Sequence, residues 1–282
     1  MNSNRVIIRG GGDLATGIAH RLHQAGYQLL ITEKEQPSAI RRTVSFANAV
    51  YLGTMTVESV TACRANSLRE AETLWQKKQI PVMVTEAADL CWKLKADVLV
   101  DATLAKKNTG IERGLAPIVI GIGPGFEAGR DVDAVVESQR GHQLGRVLYQ
   151  GKARPNTGIP GSIAGVGIER LLKAPAPGIF KGEAVIGDVV KAGQLVASVN
   201  GEPVVSQIDG LLRGLLADGL SVTAGYKVGD VDPRIDPELC SQISDKARAI
   251  GGGVLEAILH LQPERKSANM LDECGGRPSS IH

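Results

Sequence analysis

The fold is decided by residues 5–33, which read RVIIRGGGDLATGIAHRLHQAGYQLLITE. The apolar run at 6–8 predicts a buried strand, and the glycines that follow it predict a turn. Apolar residues then recur at the spacing of one helix face, and Gly26 stands where a helix C-cap is expected. Residues 29–33 predict a second strand. The stretch therefore predicts a strand, a glycine turn, a helix and another strand.

The glycine turn has the composition of a phosphate-binding site. Gly10, Gly12 and Ala15 follow the spacing G-x-G-x-x-A, in which the first glycine permits a tight turn and the second lets backbone N–H groups approach a pyrophosphate. The N-terminus of the helix adds unpaired N–H groups and the positive end of its dipole. We predict a nucleotide or dinucleotide site here, against the alternative of a glycine turn that binds nothing. The predicted binding residues in the turn are Gly10, Gly11, Gly12, Asp13, Leu14 and Ala15.

Three charged residues beyond the helix extend this predicted site. Glu33 closes the second strand about twenty residues after the glycines, a position from which a carboxylate binds ribose hydroxyls. Arg41 and Arg42 follow that strand, where a guanidinium group could meet a phosphate of the nucleotide. Paired arginines on a surface are the commoner interpretation of such a dipeptide, so both interpretations stay open.

Composition narrows the possible partners. The 282 residues are enough for two domains, and 32 basic against 30 acidic residues give a formal net charge of +2, which provides no electrostatic case for nucleic acid or a membrane. Four dispersed cysteines without a C-x-x-C motif predict neither a zinc site nor a disulfide framework. The N-terminus leads into the first strand without a signal peptide or an apolar span. We expect a cytoplasmic protein that binds no metal directly. The cysteines are Cys63, Cys91, Cys240 and Cys274.

Candidate catalytic residues come from two later segments. An apolar run that ends at Asp101 predicts a parallel strand covered on both faces, with that carboxylate at the mouth of the site. Further on, two predicted β arms flank a hairpin tip that carries Glu137, Arg140 and His142. His142 could act as a general acid or base oriented by Glu137, whereas a hydrogen-bonded structural histidine is the alternative.

From residue 173 the composition becomes that of a small β domain with an internal repeat. Gly187-Asp188-Val189 recurs as Gly229-Asp230-Val231, and residues 187–197 follow G-D-x-V-x-x-G-x-x-[LIV]-A. This phrase resembles the barrel-sandwich hybrid of lipoyl and biotinyl domains. Where a carrier domain places its modified lysine, this chain has Asn200-Gly201-Glu202-Pro203, so we expect no lysine-borne carrier arm.

The predicted fold class is α/β, with a Rossmann-like parallel sheet domain, a β-rich region like the lipoyl/biotinyl barrel-sandwich hybrid, and a C-terminal helix over 237–261. The glycines at 251–253 interrupt that helix, so either it breaks there or another backbone packs very close. The predicted organisation is a Rossmann-like nucleotide-binding domain over 1–130, a β-hairpin and Gly/Pro-rich connecting segment over 131–172, a barrel-sandwich-like domain over 173–234, the helix over 235–262 and a disordered tail over 263–282.

Several motifs together carry a resemblance to a known family. They are RGGGDLATG at 9–17, RRTVSF at 41–46, GPGF at 123–126, VE at 136–137 with RGH at 140–142, and RPNTG at 154–158. In combination they resemble the YqeB-type accessory proteins of the selenium-dependent molybdenum hydroxylase system, and the resemblance extends to about residue 261. It implies a role in the maturation of enzymes such as xanthine dehydrogenase, without established active-site residues to carry over.

Two functional hypotheses follow. The glycine turn is also similar to that of the XdhC-type chaperones, which insert sulfurated molybdenum cofactor. The first hypothesis is therefore a factor that handles a nucleotide-bearing cofactor such as molybdopterin cytosine dinucleotide, with a molybdenum hydroxylase apo-enzyme or its maturation factors as partners. The second is an NAD(P)-dependent oxidoreductase of unknown substrate, although none of the four tyrosines has a lysine four residues on. Whether the chain catalyses a reaction, and whether it forms a homo-oligomer, stay open.

Overall fold

A computed structural model describes residues 4–156, 158 and 161–274, with the backbone alone over 263–274. The strands in chain order are β1 (Arg5–Arg9), β2 (Gln28–Glu33), β3 (Thr54–Val57), β4 (Val60–Arg64), β5 (Ile80–Val84), β6 (Val98–Asp101), β7 (Ile118–Ile122), β8 (Glu127–Ala128), β9 (Ala134–Val136), β10 (Val147–Leu148), β11 (Gly151–Lys152), β12 (Leu171–Lys173), β13 (Gly178–Gly182), β14 (Val189–Val190), β15 (Leu195–Val199), β16 (Glu202–Val205), β17 (Gly210–Leu215), β18 (Ser221–Val222) and β19 (Lys227–Asp232). The α-helices are α1 (Asp13–Gln24), α2 (Ala49–Leu52), α3 (Leu68–Gln76), α4 (Ala87–Leu94) and α5 (Asp245–Cys274). Short 3₁₀ turns lie at Arg42–Val44, Phe46–Asn48, Ile168–Arg170 and Pro237–Cys240.

Nine strands form one large sheet in the order β10-β9-β7-β6-β1-β2-β5-β4-β3. The strands from β9 to β4 run parallel to one another, while β10 and β3 are antiparallel edges. Helices α1 and α5 contribute to the core on one face of the sheet, and α3 and α4 contribute to the core on the other. The central strands are buried on both faces, which explains their continuous apolar sequences.

The predicted fold class is wrong. The large sheet is mixed rather than parallel, and it includes β9 and β10 from the segment that was predicted to connect two domains. The later β-rich region forms two separate four-stranded antiparallel sheets, β12-β19-β17-β14 and β16-β15-β13-β18, which do not establish a lipoyl-type domain. Short edge strands such as β3 and β10 have little periodicity of their own, so their antiparallel pairing could not be inferred from the local pattern.

The two small sheets enclose a third apolar core, and this part of the chain is attached to the large sheet near the end of β2. Ile40 packs against the third core, its carbonyl accepts a hydrogen bond of 2.9 Å from Leu215 N, and the Arg42 guanidinium donates to Leu215 O at 2.8 Å. The segment after β2 therefore ties β17 to the edge of the sheet where the strands end.

The glycine triplet in the C-terminal region does not break the helix, because another backbone packs against it. A Cβ on Gly251 would lie 2.8 Å from Gly17 O of α1, and a Cβ on Gly17 would lie 2.6 Å from the Cβ of Ala247. The helix begins at Asp245, eight residues later than predicted, and continues to Cys274. The part of the predicted tail at 275–282 lies outside the described residues. Within the described residues, no helix has the length and apolar character that crossing a membrane requires.

Candidate functional site

A cleft of about 820 Å³ lies where β1, β2, β5 and β6 end. Ligands of open α/β sheets bind beyond the carboxyl ends of the strands, and this volume falls in the range of small-molecule sites. Its walls come from the glycine turn, the segment after β2, the residues after β5 and β6, and one residue of the small sheets. Among the lining residues are Arg9, Gly10, Gly12, Asp13, Leu14, Ala15, Glu33, Lys34, Arg41, Glu86, Thr103 and Lys227.

Gly10 and Gly11 are required by the conformation and the packing of the backbone in the turn. Gly10 has φ +88°, a conformation that favours glycine, and its N–H donates to Thr32 O at 2.8 Å. A Cβ on Gly11 would lie 2.8 Å from Ala47 N, and the Ala47 N–H donates to Gly11 O at 2.8 Å. Gly11 is therefore needed for the close approach of the turn at residues 46–48, which the sequence pattern did not predict.

Gly12 differs from its neighbours because it faces open space. Its φ is −63°, and it is the N-cap residue of α1 without a side chain that could cap the helix. A Cβ on Gly12 would have no heavy atom within 4 Å. The first N–H groups of a helix have no partner within it, and Asp13, Leu14 and Ala15 of that first turn all line the cleft. This arrangement can receive an anion.

Glu33 lines the cleft, where its carboxylate holds the glycine turn. One oxygen accepts a hydrogen bond of 2.8 Å from Gly11 N, and the other accepts one of 2.9 Å from Lys34 N. Each carboxylate oxygen has a second lone pair for a further donor. Glu33 thus fixes the turn and keeps acceptor capacity toward the cleft, so its predicted role toward ribose stays a prediction.

The side chains of Arg41 and Arg42 point to different parts of the protein, and each donates hydrogen bonds to a distant backbone carbonyl. Arg41 is buried; its guanidinium lies 3.3 Å from the Asp13 carboxylate and donates at 2.8 Å to Leu239 O. Burial and the nearby Arg213 lower the pKa of Arg41, and Asp13 partly offsets this. Arg42 holds β17 through Leu215 and is not among the lining residues of the cleft. Only Arg41 is therefore positioned near the predicted phosphate.

Asp101 is fully buried at the end of β6, and its carboxylate is engaged by side chains around it. It accepts hydrogen bonds from Arg9 Nη1 at 2.8 Å, from Thr103 N at 3.0 Å and from Thr103 Oγ1 at 2.6 Å. Arg9 and Thr103 both line the cleft. Asp101 therefore positions two wall residues, and its role as a candidate catalytic residue stays a prediction.

The hairpin candidates do not converge on one site. The buried Glu137 carboxylate accepts from Gln139 N at 2.7 Å and from Arg154 N at 2.8 Å, which holds two loops together. Arg140 makes a bidentate pair with Asp245 at 2.7 and 2.9 Å, and the hydrogen bonds from Arg140 lower the pKa of Asp245 to about 2. His142 is exposed and is absent from the lining of both the cleft and the cavity beside it.

Sequence reasoning missed the basic residues that the small sheets and α5 bring to this region. Arg213, Lys227 and Lys246 line a second cavity of about 510 Å³, which shares Asp13 and Leu14 with the cleft. The sequence did contain a signal for these residues, namely a charged residue inside an apolar strand. Arg213 is such a residue, because it lies in β17 and is buried. Over the described residues, no group of three or more His, Cys, Asp or Glu side chains could hold a metal ion.

The fold and the cleft define a protein with a large mixed sheet, helices on both of its faces and a candidate anion site at the strand ends. Sequence comparison supplies a relative. Over 256 residues, 91% of this chain, it is 49% identical to the "Uncharacterized protein YqeB" of Escherichia coli K12. The resemblance to the YqeB type is confirmed to this extent. The matched region is 47% of that protein, so the chain spans about half the length of this curated relative. No family model matches the chain.

Comparison with solved structures returns, among others, two proteins of the aspartoacylase type. An aspartoacylase family protein of Mesorhizobium loti has a TM-score of 0.27 at 12% identity, over 82% of this chain and 85% of that one. A succinylglutamate desuccinylase/aspartoacylase of Rhodobacter sphaeroides has a TM-score of 0.27 at 14% identity, over 81% and 85%. At this TM-score the two matches carry no argument about the fold or the function of the chain.

Proposed function

We propose that this protein binds a nucleotide-bearing cofactor and handles it during the maturation of molybdenum hydroxylases. The observation that carries the binding part is the N-terminus of α1, where Gly12 leaves open space beside uncapped N–H groups. A diphosphate fits this position because the N–H groups and the helix dipole both favour negative charge. The maturation part comes from the resemblance to YqeB-type accessory proteins.

The cleft suits the nucleoside end of such a cofactor. Its charged lining residues include Arg9, Lys34 and Lys227 as well as Glu33 and Glu86, so basic and acidic groups are mixed rather than segregated. A mixed polar wall around a neutral sugar and base matches the usual composition of ligand sites, which combine apolar surface with a few oriented polar groups. Under this proposal Glu33 receives the ribose hydroxyls with its remaining lone pairs.

Mass spectrometry of ligands released from freshly purified protein tests the proposal. A retained pterin dinucleotide supports it, whereas retained NAD(P) with measurable hydride transfer supports the oxidoreductase instead. A titration with cytidine 5′-diphosphate then tests the nucleoside end. We expect Glu33→Gln to weaken that binding several-fold, since the amide oxygen keeps one acceptor for Gly11 N, whereas the charge and the acceptor for Lys34 N are lost.

The matched control is Glu72→Gln, because Glu72 is exposed on α3 away from the cleft. Equal binding by both variants and the wild type would show that Glu33 does not touch the nucleotide. Absence of any released nucleotide together with no measurable binding of cytidine 5′-diphosphate would refute the proposed function.

A further inference from the structure

The cavity beside the cleft has a different electrostatic character. It measures about 510 Å³ and lies between the N-terminus of α1, the small sheets, the start of α5 and the loop after β11. Asp13, Leu14, Arg41, Leu104 and Lys227 line both spaces. The two spaces therefore meet at the N-terminus of α1, where the diphosphate is proposed to lie.

Positive charge dominates the second cavity. Among its described lining residues are seven basic side chains and two carboxylates, those of Asp13 and Asp230. Asp230 already pairs with Arg170 at 2.6 Å and lies 3.4 Å from Lys227 Nζ. Asp232 and Asp245 do not line the cavity, but Asp232 pairs with Arg213 at 3.0 Å, and Asp245 pairs with Arg140. When the carboxylates of Asp232 and Asp245 are counted with those of Asp13 and Asp230, the seven basic side chains still outnumber them. The cavity is therefore positively charged.

Three of the basic residues are buried arginines whose hydrogen bonding is incomplete. Arg41, Arg170 and Arg213 are each at most 9% exposed. The Nε of each is shielded from solvent and has no hydrogen-bond partner in the described part of the chain. Buried polar groups are normally hydrogen-bonded, and an exception calls for an explanation such as an ion that belongs there. Three such exceptions around one cavity point to a common anionic ligand.

Two further basic side chains are free to bind an anion. Neither the Lys246 ammonium nor the Arg154 guanidinium makes a hydrogen bond or ion pair within the residues that the structure covers, and both line the cavity. Burial lowers the pKa of Lys246, Asp13 partly offsets this, and Arg140 lowers the pKa further. An unpaired ammonium in a site that is shielded from water is stabilised when an anion joins it.

We infer that this cavity binds a second anionic group of the ligand, of the phosphate class of multiply charged oxyanions. The inference rests on the proposed function, because the diphosphate at the N-terminus of α1 would connect this group to the nucleoside in the cleft. The ligand class is therefore one with anionic oxygen groups at or beyond the diphosphate, rather than a nucleoside diphosphate alone. Guanidinium and ammonium groups together match such oxygens in charge and geometry.

Calorimetric titration of the full chain with inorganic pyrophosphate tests the second cavity. We expect Lys246→Gln to lower the affinity at least fivefold, because it removes a basic group without breaking an ion pair. Arg154→Gln, on an exposed loop position, is a second variant with little risk to folding, and we expect the same direction. The control is Lys93→Gln, which removes an exposed lysine of α4 on the other face of the large sheet and should leave the affinity unchanged.

The inference is wrong if both cavity variants bind pyrophosphate as the wild type does, or if the control loses affinity to the same degree. Titration of the same proteins with cytidine 5′-diphosphate separates this outcome from a failure of the proposed function. Suppose that Gly12→Asp, which blocks the N-terminus of α1, no longer binds cytidine 5′-diphosphate, while Lys246→Gln and Arg154→Gln bind pyrophosphate as the wild type does. The proposed function would then stand, and only the second site would be removed.

Discussion

Substitution of Gly12 tests the central claim that the N-terminus of α1 receives an anion. Most glycines in the turn cannot be replaced without strain, but Gly12 has φ −63° and no heavy atom within 4 Å of a built Cβ. Gly12→Asp therefore fits sterically. Its carboxylate can accept a hydrogen bond from Leu14 N or Ala15 N, as N-cap side chains do. We expect the free energy of unfolding to stay level or rise by a few tenths of a kcal/mol.

The same substitution should strongly weaken nucleotide binding. The new carboxylate occupies the N–H groups that a diphosphate would use and adds a like charge beside it. Two unit charges about 4 Å apart repel by about 1 kcal/mol in water and about 4 kcal/mol near a protein surface. A loss of roughly 1.4–2.8 kcal/mol corresponds to about a 10- to 100-fold weaker affinity.

Gly12→Asn is the matched variant, because it has the same shape and the same capping ability without the charge. We expect it to weaken the binding of cytidine 5′-diphosphate less than Gly12→Asp by about tenfold, which isolates the electrostatic part. Isothermal titration gives the affinities, and thermal unfolding of each variant gives the stabilities. Normally folded Gly12→Asp that binds the nucleotide within about twofold of the wild type would show that the N-terminus of α1 does not receive the diphosphate.

Three further predictions concern stability and reactivity. Gly251→Ala should lower the free energy of unfolding by about 1–3 kcal/mol, since the new Cβ meets α1. In the control Gly252→Ala the new Cβ meets nothing within 4 Å, so the free energy of unfolding should rise by up to about 1 kcal/mol. Equal melting temperatures of the two variants would contradict the close packing of α1 on α5. Burial opposes ionisation of Asp232, yet hydrogen bonds from Arg234 and Arg213 outweigh it and lower the pKa from 3.8 to about 2. The stabilisation from Asp232 is then complete above about pH 4 and is lost as the pH falls toward 2. The free energy of unfolding of Asp232→Asn should therefore decrease by roughly 1–2 kcal/mol less than that of the wild type over the same pH range. Burial raises the pKa of Cys91 to about 11, so iodoacetamide should label it far more slowly in the native than in the unfolded protein, and equal rates would contradict its burial.

Local pattern predicted the segment around the glycine turn well. Residues 5–33 form β1, α1 and β2 as expected, because strand and helix periodicity and the positive φ of Gly10 and Gly26 are properties of neighbouring residues. The sequence also left two possibilities for the glycines in the C-terminal helix. The structure selects close packing, with Gly251 against the backbone of Gly17.

The partners of charged residues could not be predicted in this way. Arg41 donates to Leu239, which is 198 residues away, and Arg42 donates to Leu215, which is 173 residues away. Asp101 was predicted at the mouth of the site, but the sequence did not show that Arg9 and Thr103 would be its hydrogen-bond partners. Hydrogen bonds between side chains and distant backbone leave no periodic trace in a sequence.

The sequence by itself therefore determined the strand, turn and helix that carry the candidate anion site, because these depend on short-range sterics and on apolar period. Tertiary structure alone decided the mixed topology of the large sheet and the basic cavity beside the cleft. That cavity collects Arg41, Arg170, Arg213 and Lys246 from distant parts of the chain. Their proximity follows from how the small sheets and α5 pack on the large sheet, and packing between distant segments is a property of the whole fold.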